Sequence, residues 1–187
     1  MSTEILRELV ETPSVFPNEA AISGKIKGML LEYGFKVHEV PVEPGRNNIV
    51  GTFGESDRYL GFYGHMDTVP PHADYQQDPF TLKIEGDRAT GLGVIDMKGG
   101  VAAILETAKF AAENNLPVKV LFGVDEENIS KGAHALVDAG ELDDVAFLVV
   151  GESGQVDDYD QDFALNYGRK GHLQYNIHVA GRSVHAA

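Results

Sequence analysis

Val118-Lys119-Val120-Leu121-Phe122-Gly123-Val124-Asp125-Glu126-Glu127 is a short run, apolar but for Lys119, that closes on three acids. A run of this length without alternation predicts a strand covered on both faces of a sheet. The pattern recurs downstream. After a helix expected over Lys131 to Ala139, Val145-Ala146-Phe147-Leu148-Val149-Val150 reads as a second buried strand and ends in Gly151-Glu152-Ser153. Upstream, the strand Arg58 to Tyr63 feeds Gly64-His65-Met66-Asp67-Thr68-Val69-Pro70. Strands that alternate with helices and end in acids predict an α/β fold, a mixed and mostly parallel sheet flanked by helices. Ligands in such folds sit at the carboxyl ends of the strands.

Outward from these strands, apolar spacing predicts helices over Thr3 to Val10 and Glu19 to Tyr33, with Gly34 closing the second. Phe35 to Val40 and Asn48 to Phe53 alternate as paired strands across the Pro44-Gly45-Arg46 turn. Pro71 to Ile95 has little periodicity and predicts a long loop with a short hairpin around Glu85-Gly86-Asp87; loops this long in compact domains are often functional. It leads into Gly91-Leu92-Gly93-Val94-Ile95-Asp96-Met97-Lys98-Gly99-Gly100 and a helix over Val101 to Ala112. A dinucleotide reading of Gly91-x-Gly93 fails, because position 96 is not glycine and no strand is expected before it. Beyond the acidic Asp157-Asp158-Tyr159-Asp160, nine alternating residues from Gly171 to Val179 predict a half-buried antiparallel strand. We therefore divide the chain into a larger α/β part, 1–166, and the start of a smaller α+β domain, 167–187.

The 187 residues carry a formal net charge of −14 and no cysteine. That balance excludes nucleic acid as a partner, since phosphate backbones need clustered Lys and Arg. Any zinc must be held by histidine and carboxylates. The N-terminus lacks the basic and apolar regions of a signal peptide, and no apolar run is long enough to span a membrane, so a cytoplasmic protein is expected.

The chemistry lies at the strand ends. Residues i and i+2 of a strand point the same way, so His65 and Asp67 project together, and the carboxylate can fix the ring's tautomer. Each acid has a duller use by itself: Asp96 as a helix cap, Glu126-Glu127 as first-turn acids, Glu152 as a solvated residue. Carboxylates crowded at one edge repel unless cations neutralise them, and that points to metal, two ions rather than one. Of Glu126 and Glu127, one then binds metal while the other stays free as general base and acid.

These segments, together with Gly132-Ala133 and Gly181-Arg182-Ser183-Val184-His185, resemble successive motifs of the co-catalytic zinc aminoacylase and carboxypeptidase family. That family includes acetylornithine deacetylase, succinyl-diaminopimelate desuccinylase, glutamate carboxypeptidase and di- and tripeptidases. The resemblance implies a zinc-exopeptidase-like catalytic domain followed by a lid or dimerisation domain. It implies that His65 and Glu152 bind one zinc, Glu127 binds the other and Asp96 bridges them, with Co2+ or Mn2+ as possible substitutes. Glu126 is then the base, Asp67 the carboxylate behind His65, and His185 the residue that reaches a partner's site in dimeric relatives. The implied activity is hydrolysis of an amide bond in an N-acyl amino acid or short peptide, by a homodimer when full length. A di- or tripeptidase, or a non-catalytic metal-binding module, is the alternative. The family's last zinc ligand, a C-terminal histidine, has no match here, so we expect an N-terminal portion that is inactive alone.

Overall fold

A computed structural model describes residues 3–153. Helices α1 (Thr3–Val10) and α2 (Ala20–Glu32) precede strands β1 (Lys36–Glu43), β2 (Arg46–Phe53) and β3 (Tyr59–His65). A small hairpin, β4 (Lys83–Glu85) and β5 (Arg88–Thr90), then leads to α3 (Gly99–Glu113), β6 (Val118–Gly123), α4 (Lys131–Asp138) and β7 (Val145–Val150).

The main sheet has the order β1-β2-β6-β3-β7. β1, β2 and β6 pair antiparallel, whereas β6, β3 and β7 run parallel. The three parallel strands therefore deliver their carboxyl ends to one edge, where Gly123 stands opposite His65 and Val150 opposite Tyr63. β2 runs the other way, so its first residue, Arg46, starts at that same edge.

Both faces of the sheet are covered at its centre. On one face α1, α2 and α3 contribute Leu6, Leu9, Ile22, Ile26, Leu30, Val101, Leu105 and Ala108 to a core with Ile49, Val120 and Phe122. On the other, Leu136 of α4 packs with Val40, Val50 and Leu121. This explains the unbroken apolar run of β6, all six residues of which are buried. Fully burying one such side chain stabilises the fold by about 1.5–3 kcal/mol.

Three expectations change. Among the described residues β7 is not a buried strand: there it is an edge paired only with β3, and Phe147 is 67% and Val150 52% exposed. α3 begins at Gly99 rather than Val101. A strand does precede Gly91, but it belongs to the separate two-stranded hairpin and not to a β-α-β unit, so the rejection of a nucleotide site stands on topology. The expected boundary near residue 166, the alternating strand 171–179 and His185 lie outside the described residues. No described helix is long and apolar enough to cross a membrane.

Candidate metal centre

His65 ends β3 and is buried, with only its ring edge turned to the acids beyond the sheet. Its Nε2 lies 2.9 Å from Asp96 Oδ1, 3.3 Å from Glu152 Oε2 and 3.9 Å from Glu126 Oε2. Ligand atoms of His65, Asp96 and Glu152 all fall within 4.8 Å of one another. One nitrogen and two carboxylates converging from three segments form a donor set suited to a borderline divalent ion such as zinc.

Backbone close to backbone makes this convergence possible. Asp96 leaves a tight turn, 94–98, which Gly93 enters at φ 77°. A Cβ on Gly100 would collide with the carbonyl oxygen of Gly151, and one on Gly99 with that of Val94. Gly99 thus lets the 94–98 turn close on itself, and Gly100 lets the first turn of α3 lie against the strand end that carries Glu152, bringing Asp96 and Glu152 onto the same imidazole. A Cβ on Gly64 would press on Met97 and Ile104, which seat α3 over β3.

Asp67 is 1% exposed and does more than its spacing from His65 predicts. Its carboxylate is 3.5 Å from His65 Nδ1, while its own carbonyl oxygen lies nearer that nitrogen, at 3.0 Å. The two carboxylate oxygens also accept the backbone N–H groups of Glu126 (3.1 Å) and Glu127 (3.0 Å). One side chain therefore ties β3's histidine to the two acids that follow β6.

The electrostatics are those of crowded acids. Burial pushes the Glu127 carboxyl up to about 7; the neighbouring Asp96 charge adds to the rise and His65 opposes it. Glu126 is raised as well, first by burial and then by Glu152, Asp67 and Asp96 against the opposing His65. Burial alone would lower His65, but hydrogen bonds with Asp67 and Glu152 and the Glu126 charge carry its pKa up to about 11. The ring proton thus neutralises carboxylates where a divalent cation would do so better, and the residues present fit such an ion. Asp96 and Glu127 also line one cavity of about 720 Å³ together with Thr68, Val69, Arg88 and Ile95. Glu127 stands outside the tight triad of His65, Asp96 and Glu152 and faces the cavity side of Asp96.

Three buried polar residues near the site are not expected from the sequence. Lys98 is 1% exposed and donates from Nζ to the carbonyl oxygens of Leu9 (2.8 Å) and Thr12 (2.9 Å), pinning the end of α1 beneath the Asp96 turn. Arg46 and Asn48 lie behind the 124–127 corner, and Asn48 accepts the Val124 N–H while donating to the Gly132 carbonyl. Their signal in the sequence was parity, since Arg46 and Asn48 share a strand face with Val50, a core residue.

An α/β domain with a histidine and carboxylates gathered beside its parallel strand ends belongs to the class of α/β folds that carry a candidate metal site at that edge. Residues 61–180 match the model of peptidase family M20/M25/M40, and the chain belongs to that family. It is 30% identical over 190 residues to a probable succinyl-diaminopimelate desuccinylase of Staphylococcus aureus, covering 98% of this chain and 46% of that protein. To the acetylornithine deacetylase of Edwardsiella ictaluri it is 31% identical over 195 residues, covering 98% and 49% respectively. The chain thus spans about half the length of these relatives. Among solved structures, a Staphylococcus aureus tripeptidase superposes with a TM-score of 0.64 at 28% identity, over 82% of this chain and 43% of that one. An M20 family metallo-carboxypeptidase from Sulfolobus solfataricus gives 0.70 at 21% identity, over 82% and 38%, a likeness of fold.

Proposed function

We propose that this protein is the catalytic part of a zinc-dependent hydrolase that cleaves an amide bond in an N-acyl amino acid or short peptide. The observation that carries the reading is the convergence of Asp96, Glu152 and Glu126 on His65 Nε2 at 2.9, 3.3 and 3.9 Å. His65 and Glu152 would hold one ion, Glu127 a second, and Asp96 both. Such ions supply polarisation of an amide carbonyl and acidification of water. Zinc is the ion we favour, with Co2+ or Mn2+ able to replace it.

Glu126 is the proton carrier. Its Oε2 faces the cluster without belonging to the tight triad, and burial among acids raises its basicity. A carboxylate raised in this way takes a proton from water more readily and, once protonated, can give it to the leaving nitrogen. Asp67 orients His65 through the ring's other nitrogen and holds Glu126 and Glu127 by their amides. The cavity beside Asp96 and Glu127, of about 720 Å³, suits a small molecule and not a folded protein.

Deacylation is favoured by the sequence relatives, named for desuccinylation and deacetylation, whereas the structural likeness to a tripeptidase keeps peptide cleavage as the second reading. A soluble cytoplasmic homodimer, with His185 acting across the dimer, belongs to the same proposal. The test is Glu126→Gln in the protein as its gene encodes it, assayed with zinc on acetylornithine, succinyl-diaminopimelate and a dipeptide panel. Turnover falling by at least about 10³-fold with zinc retained supports the reading. Unchanged turnover overturns the role given to Glu126, and no metal-dependent hydrolysis of any substrate overturns the reading in favour of a binding module.

A further inference from the structure

The corner that carries Glu126 and Glu127 is clamped from two sides, and only one of them belongs to the metal cluster. Asp125, the first residue of the corner, has φ 71°, a left-handed conformation that residues other than glycine seldom adopt. Its carboxylate is fully buried. Oδ1 accepts from Arg46 Nη2 at 3.2 Å and Nη1 at 3.3 Å, and Oδ2 accepts the Lys131 N–H at 3.1 Å. The Asp125 carbonyl oxygen accepts the Ser130 N–H at 2.7 Å, so the loop folds back onto its own first residue before α4 begins.

Arg46 is itself fixed on every side. Nε and Nη2 form a fork on Glu19 at 2.8 and 2.5 Å, Nη1 reaches Glu43 at 2.5 Å, and the guanidinium lies 4.8 Å over the Phe16 ring. Lys131 closes the set by pairing with Glu43. Three carboxylates thus surround one planar cation at 7% exposure, and none of these groups touches His65, Asp96 or Glu152 among the contacts described. A lysine could supply the charge but not the fork that meets Glu19 and Asp125 at once.

We propose that Arg46 is a positioning residue for Glu126 and Glu127, acting through Asp125 to hold the corner against the Asp67 carboxylate. The assignment of work to Glu126 and Glu127 rests on the function proposed above; the clamp itself does not. Its test therefore includes an arm free of catalysis. In the protein as its gene encodes it, Arg46→Lys and Asp125→Asn are compared with wild type and with Leu30→Ala, a core substitution that lowers stability away from the site. Amide hydrogen exchange of Glu126 and Glu127 is read in metal-free protein, Co2+ binding by visible absorption, and kcat and KM separately.

Both variants are expected to exchange the two amides about tenfold faster and to bind the second Co2+ about tenfold more weakly, with the first unchanged. kcat should fall by a similar factor while KM stays within about twofold, and Leu30→Ala should lower Tm without moving these readouts. Wild-type exchange and second-ion affinity in either folded variant overturn the proposal. So does an equal shift in Leu30→Ala, or failure of both variants to fold, since the network would then serve stability alone. If wild-type protein proves inactive on every substrate, the proposed function fails, while the exchange result still decides the role of Arg46.

Discussion

Asp67→Asn concentrates the logic of the site in one atom. The Asp67 carboxylate meets three donors: the amides of Glu126 at 3.1 Å and Glu127 at 3.0 Å, and His65 Nδ1 at 3.5 Å. Its pKa lies below the ordinary value although burial pushes the other way, because His65 and these amides hold it ionised. An asparagine offers one acceptor oxygen and turns an NH2 group towards the remaining donors. At least one N–H is then left unmet at a site only 1% exposed. An unmet buried donor costs about 1–3 kcal/mol, which for a domain of this size lowers Tm by roughly 2–4 °C per kcal/mol. Loss of the carboxylate behind a metal-ligating histidine adds about 10–100-fold in metal affinity. Calorimetric melting of chelator-treated protein reads the first effect, and zinc competition against a fluorescent chelator reads the second. Unaltered melting together with zinc affinity within about twofold of wild type would refute the role given to Asp67.

Other outcomes follow from the same geometry. Gly100→Ala sets a methyl against the Gly151 carbonyl and Met97, so Asp96 and Glu152 must part; we expect a loss of about 1–3 kcal/mol in the melt and weaker metal binding in the same titration. Lys98→Met removes the ammonium that the Leu9 and Thr12 carbonyls share and leaves Leu9 with only the Thr12 N–H, and denaturant unfolding should show a loss of about 1–3 kcal/mol. Zinc uptake should release protons at neutral pH, because His65 holds its proton to about 11 in the cation-free cluster and must lose it to ligate. Zinc affinity therefore rises with pH by up to about tenfold per unit for each proton displaced, measurable by calorimetry in buffers of different ionisation enthalpy. Chelation should lower Tm and zinc should restore it, since an ion that binds only the folded state stabilises it by mass action.

Much of this was legible before any coordinates. The apolar run before Asp125 announces a central strand because both faces of β6 are covered, and period and punctuation locate α1, α2 and the hairpin at Glu85-Gly86-Asp87 to within a few residues. His65 and Glu152 are readable as a pair because parallel strands must present their carboxyl ends together, and Asp96 joins them from the turn that opens α3. β7 misleads because an apolar run states what a strand can bury, not whether it lies at the edge of the sheet. Arg46, Asn48 and Lys98 escape notice for a different reason. Their partners are backbone groups and acids spread from residue 9 to residue 132, and a pairing across that separation leaves as its trace only polar residues at core parity for Arg46 and Asn48, and none for Lys98.

The most direct test of the proposed centre is anomalous diffraction at the zinc edge from crystals of the zinc-loaded protein. Two peaks about 3.5–4 Å apart are predicted, one about 2.0–2.2 Å from His65 Nε2 and the Asp96 and Glu152 carboxylates, the other shared by Asp96 and Glu127. A density map with zinc bound elsewhere, or with His65 still paired to Asp96 and no ion between them, would contradict the account.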